Sequence, residues 1–380
     1  MLRIVREFSI GRPQILAGLM LLIFLVQCFW VAGNRRLSDL EFQYLASGHA
    51  PQPGQEYRIT SPFTGLAASF PARITWLLRT VAPSSVSATL AVPRPWFLRL
   101  PFIAFGFWLG AALWWVARRL FGDEGGYIAL ALYCFSPAMV MISSNIGPEI
   151  ILAWSSFGLI YTTIGVAHTV YSPPSRWVPR ILLLGLSIGI CISTAFWAWT
   201  LVLLGFAFML YLTPGRRRAA LIVFACALTV GLCVFGLVVW FSGATGAGTR
   251  TLLTPHFSAD TLRNLGFALT KDTDGYVLPA LFILALTAYG SWRRSRYFGN
   301  TAPLLTSFLI VLLFSLVPAV YLWNSALGLS FLFLFIGGVA ADLLETRFRR
   351  EFLWIVGCAI IIKLIEDLMR LAPWVHTIPV

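Results

Sequence analysis

Residues 99–163 read RLPFIAFGFWLGAALWWVARRLFGDEGGYIALALYCFSPAMVMISSNIGPEIILAWSSFGLIYTT, and the spacing of their charges decides the fold. The charged residues are Arg99, Arg118, Arg119, Asp123, Glu124 and Glu149, which leave apolar runs near 100–117, 126–142 and 149–170 between them. Each run approaches the ~20 residues with which a helix crosses a bilayer. In hydrocarbon a chain must satisfy its own backbone hydrogen bonds, so these runs read as helices that turn at the charged breaks.

Working outward, similar runs lie near 14–32, 181–195, 196–212, 219–241, 276–291, 302–320, 324–342 and 353–371, for about eleven spans in all. The stretch 181–212 is long for one span and short for two, and we divide it at Ser193 and Thr194. The 380 residues are 58% hydrophobic, 15% aromatic and only 11% charged. A water-exposed surface needs about a quarter of residues charged, so an ordinary soluble domain is excluded. The first apolar stretch, from Ile15 to Ala32, is long for a signal-peptide core and lacks a small-x-small cleavage site, which predicts a retained span. The expected fold class is all-α: a polytopic helical bundle forming one transmembrane domain over 1–380, with no separate soluble domain.

The 28 basic residues exceed the 15 acidic ones, giving +13. In a soluble protein this excess would point to nucleic acid. Here the arginines cluster in short breaks such as Arg118-Arg119, Arg216-Arg217-Arg218, Arg293-Arg294 and Arg349-Arg350, which is a topology signal. It predicts a cytoplasmic N terminus and no nucleic-acid partner. Two longer loops, 33–99 and 242–275, then share the extracytoplasmic face, where chemistry outside lipid is expected. Short loops and an arginine-heavy composition point to a bacterial inner membrane. The six cysteines lie in apolar runs without C-x-x-C spacing, His49, His168, His256 and His376 are isolated, and phosphate-loop motifs are absent from the sequence. No metal site, disulfide framework or nucleotide cofactor is expected.

In the first long loop, RLSDLEFQYLAS (36–47) has helical periodicity. Leu37, Leu40 and Tyr44 fall on one face and Arg36, Asp39, Gln43 and Ser47 on the other, predicting an interfacial helix. Asp39 and Glu41 are separated by about 160° around that helix, so they compete for one role. Asp39 belongs to the polar stripe, whereas Glu41 sits among apolar neighbours and needs a cavity or partner. The residues alone leave the two even. A second mixed segment, Phe70 to Val81, carries Arg73 and Arg79 and reads as another interfacial helix.

The order Arg99-Leu100-Pro101, Ala117-Arg118-Arg119-Leu120-Phe121-Gly122, Ser136-Pro137 and Pro148-Glu149 resembles the core of the GT-C membrane glycosyltransferases, a superfamily that includes protein O-mannosyltransferases and the bacterial aminoarabinose transferase. The resemblance covers about residues 10–170. It implies a sugar donor carried on polyprenyl phosphate and places Asp39 where the family's catalytic aspartate would stand, with Glu41 in reserve. Ser61-Pro62 stands where many members have His-Pro, Leu40 follows Asp39 in place of a second acid, and Ser193-Thr194-Ala195-Phe196 replaces the usual Thr-Lys.

Such a transfer requires a carboxylate base beside the nucleophile and cations around the departing phosphate. The resemblance points to Glu149 as a residue orienting acceptor or donor. Its simpler reading is an acid beside Pro148 at a helix start. Arg58, Arg73, Arg99, Arg250, Arg263 and Lys271 share the predicted face of Asp39 as phosphate ligands. Asp123 and Glu124 read as solvated turn acids. Lys363 and Asp367, four apart, are expected to pair along the last helix. The expected function is a membrane glycosyltransferase using a lipid-linked sugar, with membrane lipids and an acceptor as partners. The alternative is a GT-C-shaped scaffold that has lost catalysis and serves a membrane protein complex.

Overall fold

The computed structural model describes residues 13–47, 61–81, 94–173, 177–195, 198–242, 274, 276–291, 297–316 and 326–376. Every regular element among them is a helix: α1 Pro13–Asn34, α2 Asp39–Ser47, α3 Pro62–Val81, α4 Pro95–Cys134, α5 Pro137–Ser143, α6 Pro148–Thr169, α7 Val178–Thr194, α8 Trp199–Leu212, α9 Arg217–Ser242, α10 Val277–Ser291, α11 Tyr297–Leu316, α12 Ala326–Leu344 and α13 Arg349–His376. The chain is an integral membrane protein. Among the described residues five helices, α1, α4, α6, α9 and α12, are long and apolar enough to cross a membrane, and shorter apolar helices accompany them. Large apolar side chains such as Leu22, Val26, Trp108, Leu203, Ile222 and Trp240 are exposed, the arrangement of a protein whose outer surface meets lipid.

The chain forms two compact units. The first contains residues 1–36, 103–144 and 257–380. Its centre is the hairpin within α4, where Gly122 takes φ 84°. Only glycine adopts that left-handed backbone without strain, so the helix reverses there. The two limbs are tied by the Tyr133 hydroxyl donating to the Gly106 carbonyl at 2.6 Å. Tyr133 also packs on Phe24, with ring centroids 5.0 Å apart. The third expected span is interrupted before Pro137, which lacks an N–H and opens α5 with Ser136 as its cap, Oγ accepting from the Met139 N–H at 3.1 Å.

The second unit contains residues 37–102 and 145–256. Helices α7 and α9 approach closely along the stripe Gly185-x-x-x-Gly189 against Gly231. A Cβ on Gly185 would meet the Ala227 carbonyl oxygen at 2.8 Å, and one on Gly189 the Gly231 oxygen at 2.7 Å. Small residues at this spacing let two backbones touch where the surrounding lipid supplies no hydrophobic drive. The helix expected at Phe70–Val81 begins earlier, at Pro62. The break expected within 181–212 falls at Ala195, between α7 and α8.

Candidate active site

Helix α2 opens with Ser38-Asp39-Leu40-Glu41, a reciprocal cap in which each end residue serves the other's backbone. The Ser38 N–H donates to Glu41 Oε2 at 2.8 Å, and the Glu41 N–H donates to Ser38 Oγ at 3.3 Å. Arg99, near the start of α4, meets the same carboxylate side-on, with Nε donating to Oε1 and Nη2 to Oε2, both at 2.8 Å. The Ile146 N–H adds a bond to Oε1 at 3.1 Å. Both charged side chains are completely buried. Two donors reach each carboxylate oxygen, the forked arrangement that arginine's planar guanidinium favours. Burial by itself would raise the Glu41 carboxyl, but Arg99 and the Ser38 and Ile146 N–H groups outweigh it and hold the group below its ordinary value.

The face expected from periodicity holds in part: Arg36 and Asp39 are exposed and Leu37 and Tyr44 half-buried, but Leu40 of the apolar stripe is not covered. Leu40 and Phe42 are exposed while Glu41 is the buried residue of the turn. The physical reason is that Arg99 and the Ser38 and Ile146 N–H groups give the buried glutamate the partners it needs. Asp39, around the helix from Glu41, is exposed. Glu149 is buried at the start of α6, after Pro148, and its carboxylate lies over Gly147, where an added Cβ would strike it. Asn145, also buried, has its side-chain oxygen without a hydrogen-bond donor. The short run from Asn145 to Glu149 thus carries a buried carbonyl, the N–H bonded to Glu41 and a second buried carboxylate.

The expected cations fall into three groups. Arg99 directs its fork at Glu41. Arg73 is exposed. Arg58, Arg250, Arg263 and Lys271 lie outside the described residues. Asp123 and Glu124 pair with Arg118 and Arg349, and all four are at least partly exposed, in agreement with turn acids. Sequence reading missed the Glu41–Arg99 pair. The serine three residues before Glu41 is a local sign that this glutamate faces the start of its own helix, but Arg99 stands far along the chain and carries no such sign.

A family model described as dolichyl-phosphate-mannose-protein mannosyltransferase matches residues 84–241. No curated protein matches the chain by sequence. Among solved structures, ArnT from Cupriavidus metallidurans bound to undecaprenyl phosphate aligns over 92% of this chain and 64% of its own at 14% identity, with a TM-score of 0.62. The fold is that of the GT-C membrane glycosyltransferases. ArnT in the apo state aligns over 90% of this chain and 62% of its own at 15% identity and TM-score 0.61. The archaeal oligosaccharyltransferase AglB from Archaeoglobus fulgidus, in complex with an inhibitory peptide and a dolichol-phosphate, aligns over 93% and 56% at 14% identity and TM-score 0.52. The chain therefore spans about three-fifths of the length of these GT-C structures. The GT-C likeness extends well beyond residue 170, where the sequence resemblance fades.

Proposed function

We propose that this GT-C protein transfers a sugar from a polyprenyl-phosphate donor to an acceptor hydroxyl or amine at the extracytoplasmic face of a bacterial inner membrane, with Asp39 as general base and the N terminus in the cytoplasm. The observation that carries the assignment of roles is the closed Glu41–Arg99 pair. It occupies one of the two competing acids and leaves the exposed carboxylate of Asp39 on a helix held in place by its neighbour. A general base must reach the nucleophile, which a carboxylate saturated by four donors does poorly. In the reaction Asp39 takes the acceptor's proton, the nucleophile bonds to the anomeric carbon from the face opposite the phosphate, and the carbon–oxygen bond breaks with inversion. The electron pair leaves on the lipid phosphate. Exposed Arg73, with Arg58 and Arg250 as further candidates, supplies the cations that stabilise it. Glu149 and the Asn145 carbonyl orient the acceptor.

The same pair also favours a second reading, a GT-C scaffold within a membrane protein complex, because it turns two donors of Arg99 toward Glu41. Transfer from labelled polyprenyl-phosphate sugars by the purified protein separates the two. Loss of transfer in Asp39→Asn with retained thermal stability supports the enzyme. Equal transfer by Asp39→Asn and the parent overturns the base assignment, and no transfer by the parent to any acceptor class supports the scaffold.

A further inference from the structure

Helix α13, in the first compact unit, has its polar side turned inward. Lys363, Asp367 and Leu371 are buried along one stripe, while Ile362, Ile365, Leu368 and Met369 are exposed on the other side. The expected Lys363–Asp367 pair does not form. Lys363 Nζ instead meets Asp274 Oδ2 at 2.9 Å, with both side chains fully buried, and donates to the Asp274 backbone carbonyl. Asp274 Oδ1 accepts from the Ala138 N–H at 3.1 Å. Asp367 receives its hydrogen bond from α1, where Gln27 Nε2 donates to Oδ2 at 2.7 Å. Two buried atoms of this contact, Asp367 Oδ1 and Gln27 Oε1, have no hydrogen-bond partner.

The charges around Asp367 do not balance. Lys363 and Glu366 face it from α13, Asp274 from the segment before α10, and the thiols of Cys28 in α1 and Cys134 in α4 lie within electrostatic range. Farther out, Arg370 lies 3.9 Å from Glu366 and stacks over Tyr276. Lys363 already faces Asp274 and, at 3.6 Å, Glu366, so an ionised Asp367 would add a third negative charge to one buried ammonium, which is costly. Among the described residues no group of three His, Cys, Asp or Glu stands ready to hold a metal ion. A proton resolves both the charge and the two orphaned oxygens. A neutral carboxyl has one O–H donor besides its acceptor oxygen, and a primary amide offers the complementary carbonyl and N–H.

We propose that Asp367 binds a proton on Oδ1 and donates it to Gln27 Oε1, closing an acid–amide ring of two hydrogen bonds that joins α1 to α13. Gln27 Nε2–H to Asp367 Oδ2 is the first bond and Asp367 Oδ1–H to Gln27 Oε1 the second. Folding then takes up one proton, because Asp367 of the unfolded chain is ionised at neutral pH, and the seam weakens as the pH is raised.

Infrared spectra of the purified protein in detergent test the assignment. A protonated-carboxyl C=O band that shifts in D2O is expected at neutral pH, absent in Asp367→Asn and present but displaced to the position of a less hydrogen-bonded acid in Gln27→Leu. Asp367→Asn preserves a two-bond amide ring, so its Tm at neutral pH should match the parent's and should fall less on raising the pH. Absence of an Asp367-dependent C=O band overturns the proposal. So does a sodium- or potassium-dependent rise in parental Tm that Asp367→Asn abolishes, which would place a cation there, or a large loss of Tm in Asp367→Asn at neutral pH.

Discussion

The Glu41–Arg99 and Asp274–Lys363 pairs are both completely buried, one in each compact unit, yet the first is closed and the second is open. Around Glu41 each carboxylate oxygen takes two donors, one from Arg99 and one from a backbone N–H. Around Lys363 a single ammonium faces Asp274 and Glu366, with Asp367 one turn farther on and two oxygens of the Asp367–Gln27 contact lacking donors. Burial alone therefore does not say what an ion pair is for. A saturated pair has one low-energy state and serves as a strut, whereas a cluster with spare acceptors can change its proton count without being dismantled.

The largest expected effect breaks the closed pair. Arg99→Leu strands a buried carboxylate and should cost about 3–5 kcal/mol in thermal unfolding, while Glu41→Gln combined with Arg99→Met recovers most of that loss. A cost no greater than a surface substitution would erase the distinction between the two pairs. Next, Asp39→Asn should lower transfer by about a hundred- to ten-thousand-fold with stability retained, whereas Glu41→Gln should lower transfer and stability together. Stability intact in Glu41→Gln with transfer abolished would exchange the two roles.

The open cluster should respond more mildly. Burial pushes the Asp274 carboxyl up even beside Lys363. On Lys363→Met, Asp274 can therefore take a proton, and the expected loss is about 1–3 kcal/mol, below that of Arg99→Leu. Acid should sharpen the contrast with the smallest effect. Because the folded Glu41 carboxyl is held below its unfolded value, its contribution is present above the ordinary carboxylate range and is lost as pH falls through the depressed folded value. Unfolding curves of the parent and the Glu41→Gln, Arg99→Met double variant should therefore converge in acid and diverge toward neutral pH.

The all-helical character of the chain and several of its breaks are legible in residue order alone. Arg118-Arg119, Gly122-Asp123-Glu124, Ser136-Pro137 and Pro148-Glu149 mark where the chain turns or restarts, because a helix in lipid must close its own backbone hydrogen bonds and can stop only where local residues provide a turn or a cap. The close approach of α7 to α9 was not legible beforehand, because Gly185 and Gly189 acquire meaning only once Ala227 and Gly231 are brought opposite them. Tertiary structure decided which charges meet. Helical spacing permitted Lys363 to pair with Asp367, but Asp274 took the lysine and Gln27 the aspartate. Periodicity put Glu41 and Asp39 on opposite faces without saying which would be buried, and that was settled by Arg99 and the Ile146 N–H. Helix formation is local, but the state of a buried charge depends on every donor that distant segments bring within reach.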